Sequence, residues 1–282
     1  MAIAMTDVKR VILQEDDFGH ELRVGSIFEK IQFEMGGMEE AWISSPEHGG
    51  TYVDRVSGKT RQFDYRCSIS RINRRTPHAK RSIHLAVECK NLNPDFPLVV
   101  CGRPRTSEES FHLVLHQPQM HILNIRPIKF EESTSIYKPD AFVGKNIVRL
   151  KKKNGDLCSD GDNEIYDRWT QALSSCHDLC GTAFRAYNGN EIIESFVIPV
   201  VVLPNNSLWK ANYKNDGTLA DDPSPVDDCE FYINQEIRGI DGGAYRITHI
   251  HFTTLTGFEE MLKQFATPRT TMWKKIFGPQ SE

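Results

Sequence analysis

The hydrophobic positions along the chain change period several times, and each change marks an element. Between Glu21 and about Met35, the residues Val24, Ile27, Phe28 and Ile31 recur at helical spacing, and Gly36-Gly37 ends the run. Trp42-Ile43-Ser44 reads as a short strand. A hairpin follows, with TYVDR and RQFDYRCSIS joined by a turn at Val56-Ser57-Gly58-Lys59. The basic stretch RINRRTPHAKR, which holds Pro77, reads as a loop, SIHLAVECKN as a strand, and Pro97 to Cys101 as another. Residues 103–153 show no regular period. Ile165, Trp169 and Leu173, four apart, predict a helix from Asp162 to about Cys180. The last third returns to strands: ESFVIPVVVLP, SLWKANY, CEFYINQ and AYRITHIHF. It contains the acidic, proline-bearing loop NDGTLADDPSPVDD and closes on an amphipathic helix near Gly257–Phe265. No internal repeat or long linker divides the chain. The expectation is a single α/β domain over residues 1–282, a mixed central sheet flanked by helices. Residues 20–105 would form its core, and 106–282 would complete or elaborate the sheet with a β-rich C-terminal part.

Charge narrows the possible partners. The 282 residues carry 34 Lys and Arg against 38 Asp and Glu, a net charge of -4. No global basic field exists, so any grip on nucleic acid must come from a local patch. No apolar run reaches the length of a membrane span, the longest being FVIPVVVLP, and the first residues lack a signal-peptide apolar region. Seven cysteines without framework spacing predict reduced thiols and a cytoplasmic protein with no membrane partner. There is no nucleophile elbow, Walker-type phosphate loop or dinucleotide glycine fingerprint, so neither ATP-driven nor redox chemistry is supported.

The segment IHLAVECKN carries the chemistry. On a strand, Glu88 and Lys90 project to one side and Cys89 to the other. Charged neighbours at the end of an apolar strand are costly to desolvate unless something uses them. The preceding strand places Asp64 between Phe63 and Tyr65. If the two strands pair antiparallel, Asp64 and Glu88 come within reach of one cation. Two carboxylates offer hard oxygens to Mg²⁺ or Mn²⁺, which polarises a phosphodiester and lowers the pKa of a bound water. A lysine beside them orients that water or offsets the charge on phosphorus.

This order, Asp64 then Glu88-Cys89-Lys90 after a helix and a short strand, resembles the PD-(D/E)xK nuclease superfamily, which includes Mrr-like restriction endonucleases and archaeal Holliday-junction resolvases. The resemblance covers roughly residues 22 to 105 and implies a restriction endonuclease-like core. It also implies an Mg²⁺- or Mn²⁺-dependent endonuclease acting on nucleic acid, DNA foremost, in restriction, defence or repair; a homodimer is compatible with it. In many members a glutamate on the first helix helps to bind metal. The segment RVGSIFEK resembles the G-x-x-x-E helix of the resolvase-like branch, which assigns that role to Glu29, with Glu34 as the fallback. Phe63 stands where the family's proline is expected. The rival readings are a catalytically inactive member of the fold that binds nucleic acid or protein, and an interaction protein in which the Glu-Cys-Lys run is coincidental.

Weaker signals surround this one. Arg71, Arg74, Arg75, Lys80 and Arg81 cluster between the two strands and are candidate phosphate contacts, as are Arg103, Arg105 and Lys151-Lys152-Lys153. The competing reading of each is solvated surface. Cys158, Cys176, His177 and Cys180 fit no common zinc spacing, so a helix packing two cysteines inward is the expectation. His249 and His251 share one face of a strand without a carboxylate at suitable spacing and read as edge-strand histidines. The aspartates at 221, 222, 227 and 228, with Glu230, read as a solvated acidic loop.

Overall fold

The computed structural model describes residues 16–35, 41–54, 57–73, 79–117, 126–153, 156–159, 162–182, 192–238, 244–267 and 271–278. Helix α1 (Asp17–Met35) precedes β1 (Ala41–Ile43), β2 (Glu47–His48), β3 (Thr51–Val53), β4 (Thr60–Gln62), β5 (Tyr65–Asn73) and β6 (Ala79–Cys89). A strand-rich stretch follows, with β7 (Leu98–Pro104), β8 (Phe111–Gln117), β9 (Arg126–Glu131), β10 (Phe142–Lys153) and β11 (Asp156–Ser159). Then come α2 (Asp162–Thr182), β12 (Ile192–Leu203), β13 (Leu208–Asn212), β14 (Ser224–Pro225), β15 (Asp228–Arg238), β16 (Ala244–Thr254), α3 (Leu255–Ala266) and α4 (Thr271–Phe277).

One mixed sheet runs in the order β1-β5-β6-β12-β16-β15-β10-β7-β13-β14. Strands β1, β5 and β6 are antiparallel neighbours, whereas β12 lies parallel to β6 and β16 parallel to β12. Adjacent parallel strands need a crossover, and α2 lies on the one from β6 to β12. The strands alternate their side chains between two apolar layers. Leu85, Val87 and Cys89 of β6, with Val200 and Val202 of β12, pack with Val24, Phe28 and Ile31 of α1, Phe258 and Leu262 of α3, and Trp273 of α4. On the opposite face, Ala86, Val197 and Val201 share a cluster with Trp169, Leu173 and Cys176 of α2. Helices therefore cover both faces, which is why β6 and β12 read as nearly continuous apolar runs.

The mixed α/β sheet flanked by helices is thus present, with several local differences. The expected hairpin splits: β3 and β4 form a separate two-stranded ribbon, and the chain bends at Phe63-Asp64 before β5. The bend is stapled by Phe63 N–H to the Gly50 carbonyl at 2.9 Å and Gly49 N–H to the Asp64 carbonyl at 3.1 Å. Residues 103–153 hold strands where no period was legible. There, His112 interrupts an apolar run but is buried and bonded to Ser135 Oγ at 3.1 Å and the Ile276 carbonyl at 2.8 Å. The basic segment is mostly strand, because β5 extends to Asn73 and β6 begins at Ala79. Strand β16 lies inside the sheet, so His249 and His251 are not edge residues; His249 stacks on Tyr137 at 3.7 Å and His251 Nε2 is hydrogen-bonded to the Tyr137 hydroxyl at 2.9 Å. Cys176 and Cys180 pack inward on α2 as expected. Gly36-Gly37, Val56, Pro77 and the side chain of Ile165 lie outside the described residues.

Gly25 decides how closely α1 sits on β5. A Cβ there would meet the Tyr65 hydroxyl at 2.6 Å, and that hydroxyl donates to the Glu21 carbonyl at 3.1 Å. Alanine adds about 1 kcal/mol of helix propensity over glycine, which the clash should outweigh. Gly25→Ala is therefore expected to lower stability by about 1–2 kcal/mol in urea unfolding. Adding Tyr65→Phe should recover part of the loss by removing the obstructing oxygen. A stabilised Gly25→Ala variant would mean that α1 is not seated against Tyr65.

Candidate functional site

In the pairing of β5 with β6, Tyr65 lies opposite Val87 and Asn73 opposite Ala79. Continuing that register by one residue puts Asp64 opposite Glu88, where partners share a face. The bend at Asp64 turns its Oδ2 onto the Cys89 N–H at 2.6 Å. Beyond Cys89, the Lys90 N–H continues the ladder to the Val202 carbonyl at 2.9 Å, which holds β6 to the end of β12. The Lys90 ammonium donates to Glu88 Oε1 at 2.5 Å and to Gln171 Oε1 of α2 at 3.2 Å. Cys89 points into the opposite layer beside α1, as strand alternation requires.

Burial sets the electrostatics. Glu88 is only 3% exposed. Desolvation first, and the charge of Asp64 second, push its carboxyl up to about 7, against the pull of Lys90. Burial likewise raises Asp64, opposed by the Cys89 N–H and the Lys90 ammonium. Tyr52, whose hydroxyl donates to the Gln171 carbonyl at 3.3 Å, is raised to about 12 by burial and then by Glu88. Burial raises both carboxyls, and the charge of Asp64 adds to the effect at Glu88, so a hard divalent cation between them would favour their charged forms. Among the described residues, no group of three or more His, Cys, Asp and Glu side chains is gathered tightly enough to hold a metal as they stand.

On α1, Glu21 and not Glu29 is the carboxylate whose charge is felt at this site. The negative charge of Glu21 acts on both Asp64 and Glu88. The side chains of Glu29 and Glu34 are exposed. Helical geometry explains the substitution: Glu21 lies about 60° round the helix from Val24 of the buried stripe, whereas Glu29 lies about 140° away. The first turn is also anchored there, since His20 Nε2 donates to the Val202 carbonyl at 3.0 Å, the acceptor already used by Lys90. Burial lowers the pKa of His20, whose Nδ1 has no partner among the described residues. Glu21 was legible only as a residue beside the stripe, and Gln171 and Tyr52 had no sequence signal.

The basic cluster does not flank the carboxylates. An antiparallel pair puts its connecting loop at the far end, so Arg71 and Arg81, each seven residues from Asp64 or Glu88, lie roughly 23 Å along the strands. Arg81 pairs with Glu194 at 2.6 Å, Arg71 sits 5.1 Å over the Trp273 ring, and Lys80 sits 5.4 Å over Trp42. Arg74 and Arg75 lie outside the described residues. Arg103 is engaged by Glu109 at 2.8 Å, and Arg105 is 2% exposed, bonded to the Lys138 carbonyl and paired with Glu230. Arg105 is therefore not available to a phosphate backbone. Lys151 and Lys152 lie on β10.

Glu88 also carries a stability signature. A carboxyl raised above its unfolded value of 4.5 favours the fold while protonated, so its contribution is complete below about pH 4.5 and is lost as pH rises through 7. The shift corresponds to a loss on the order of 3 kcal/mol. Urea unfolding in chelator should show the parent losing that amount relative to Glu88→Gln between pH 4.5 and 8. Parallel curves for the two proteins would show that Glu88 is not strained by its burial.

No family model, curated protein or solved structure matches the chain, so the site's chemistry rests on its own residues.

Proposed function

We propose that the protein is a metal-dependent nuclease that hydrolyses phosphodiester bonds, in DNA foremost, at Asp64, Glu88 and Lys90. The observation that carries this reading is the β5–β6 register, which ends with Tyr65 opposite Val87 and so leaves Asp64 and Glu88 at the same strand end, where Lys90 bonds Glu88. The resemblance to the PD-(D/E)xK pattern at Asp64, Glu88 and Lys90 supports it. A bound Mg²⁺ or Mn²⁺ would polarise the scissile phosphate and lower the pKa of an attacking water.

The chain's own residues supply the rest. Asp64 and Glu88 offer anionic oxygens to the cation. Near pH 7, Glu88 shares its site with a proton, so cation binding competes with protonation and weakens as pH falls through that value. Lys90, steadied by Glu88 and Gln171, orients the water or offsets charge gathering on the phosphate. Cys89 faces the apolar layer, and its thiol is held far above its usual range by burial, which leaves it without a nucleophilic role. A duplex touching both the carboxylates and the distant cations Arg71, Lys80 and Arg81 would span about seven base pairs.

The test is nicking of supercoiled plasmid with Mg²⁺, with Mn²⁺ and with chelator. Cleavage should require the divalent ion. Asp64→Asn should cut it by at least about a hundredfold with loss of Mn²⁺ binding, and Lys90→Ala should cut it comparably while Mn²⁺ still binds. Intact plasmid with the parent protein under every divalent ion, or both variants cleaving at the parent rate, would overturn the assignment.

A further inference from the structure

We propose that a cavity between the β15–β16 face and α3, whose lining shares no residue with the nuclease centre above, binds a small organic cation with an alkyl stem. The cavity measures 460 Å³, within the range of about 300–1,000 Å³ usual for small-molecule sites. Asp228 and Glu230, which read from the sequence as part of a solvated loop, lie on β15. There Asp228 stands opposite Thr253 and Glu230 opposite His251 of β16. Cross-strand partners share a face, and these four side chains line one wall of the cavity. Helix α3 forms the other wall with Met261 and Phe265, and Met272 of α4 adds apolar surface. Gly257 keeps that wall close, since a Cβ there would meet the Asp227 carbonyl at 2.1 Å.

The polar groups on the strand wall are held from behind. Glu230 Oε2 pairs with Arg105, whose side chain is 1% exposed. The same guanidinium donates to the Lys138 carbonyl at 2.9 Å and lies 5.4 Å over the Tyr137 ring. The Tyr137 hydroxyl is hydrogen-bonded to His251 Nε2 at 2.9 Å. Each of the two side chains thus uses one polar atom on a buried partner and keeps the other for the cavity. Glu230 Oε1 and His251 Nδ1 make no hydrogen bond among the described residues. A carboxylate pinned in this way is already ordered for a ligand, which removes part of the entropic cost of binding.

Charge selects the ligand. Asp227, Asp228, Glu230, Glu259 and Glu260 line the cavity against one ammonium, that of Lys263. Glu259 is engaged by Lys30 at 2.5 Å and by Lys263 at 2.7 Å, and Glu230 by Arg105, whereas Asp228 has no ion pair among the described residues. The surplus is negative, which repels phosphates and attracts cations. Burial holds His251 down to about 4, so its ring is neutral at pH 7 and does not oppose a cation. Among the described residues no three ligating side chains gather tightly enough for a metal ion. An ammonium or guanidinium needs only acceptors for its N–H groups, and Met261, Phe265 and Met272 match an alkyl stem.

Calorimetry on the full chain at pH 7.5 tests this with three probes: agmatine, acetyl-glycyl-arginyl-glycine amide and uncharged 1-pentanol. Agmatine should bind with a Kd of about 1 mM or tighter, and 1-pentanol at least about tenfold more weakly. Asp228→Asn, at an exposed position, should weaken agmatine about tenfold with the thermal midpoint unchanged. Glu230→Gln leaves Arg105 buried without its partner and endangers the fold, so Met261→Trp, which fills the cavity, is the second variant and should abolish binding. Binding of the peptide but not of agmatine would support the site and identify its cation as an arginine side chain of a partner protein. No binding of either cation to the folded parent, equal binding of 1-pentanol, or parent-like affinity in both variants would overturn the proposal. Agmatine binding by a chain that nicks no plasmid would support it while overturning the nuclease reading alone.

Discussion

Everything at the site depends on the antiparallel register of β5 on β6. Because side chains alternate with a period of two, a slip of one residue would send Glu88 into the layer beneath α1 and bring Cys89 to the site. Three features hold the register. Apolar residues at Leu85, Val87 and Cys89 must all enter the same layer as Tyr65, Cys67 and Ile69. The bend at Asp64, stapled to Gly49 and Gly50, fixes where β5 starts. The Asp64 carboxylate then closes the pair on the Cys89 N–H, so one of the two carboxylates is itself part of the lock.

That lock has an energetic consequence. Glu88 is buried against its own preference, and the nearby negative charge of Asp64 adds to the cost. Its contact with Lys90 returns only part of the penalty, since a buried ion pair seldom recovers what desolvation takes away. An apolar residue at 88 would satisfy the layer shared with Ala86, so packing does not explain a glutamate there. Local conflicts of this kind in an otherwise consistent fold tend to mark function. The same logic separates Glu88 from Arg66, which is also buried but fully engaged by Ser175 and Asp178 of α2 and by the ring of Phe63, and so serves to dock the crossover helix.

How much of this was legible in the sequence follows from how local each signal is. Strand β6 announced itself through alternation, and with it the placement of Glu88, Lys90 and Cys89. The helices α1, α2 and α3 showed through their spacing. Glu21 was less accessible, because which side of α1 faces the strand ends depends on docking that Gly25 and Tyr65 settle together. The basic cluster was misplaced for a related reason: its composition suggested a loop beside the carboxylates, but two long strands carry it to the far end. Residues 103–153 hid their strands because His112 and several prolines break the apolar pattern, and their satisfaction comes from distant partners such as Ile276.

The Val202 carbonyl shows how an extension of the sheet by more than half the chain leaves the centre intact. It accepts the N–H of Lys90 from β6 and the Nε2–H of His20 from α1, and it lies on β12, which reaches β6 only after the intervening strands and α2. One acceptor thus joins the helix that carries Glu21, the strand that carries Glu88 and Lys90, and the strand delivered by the crossover. The stretch between β6 and β12 serves the site through two contacts, Gln171 of α2 at Lys90 and this carbonyl of β12. The site is therefore specified by where the ends of three elements meet, not by the stretch of sequence in which its carboxylates first appear.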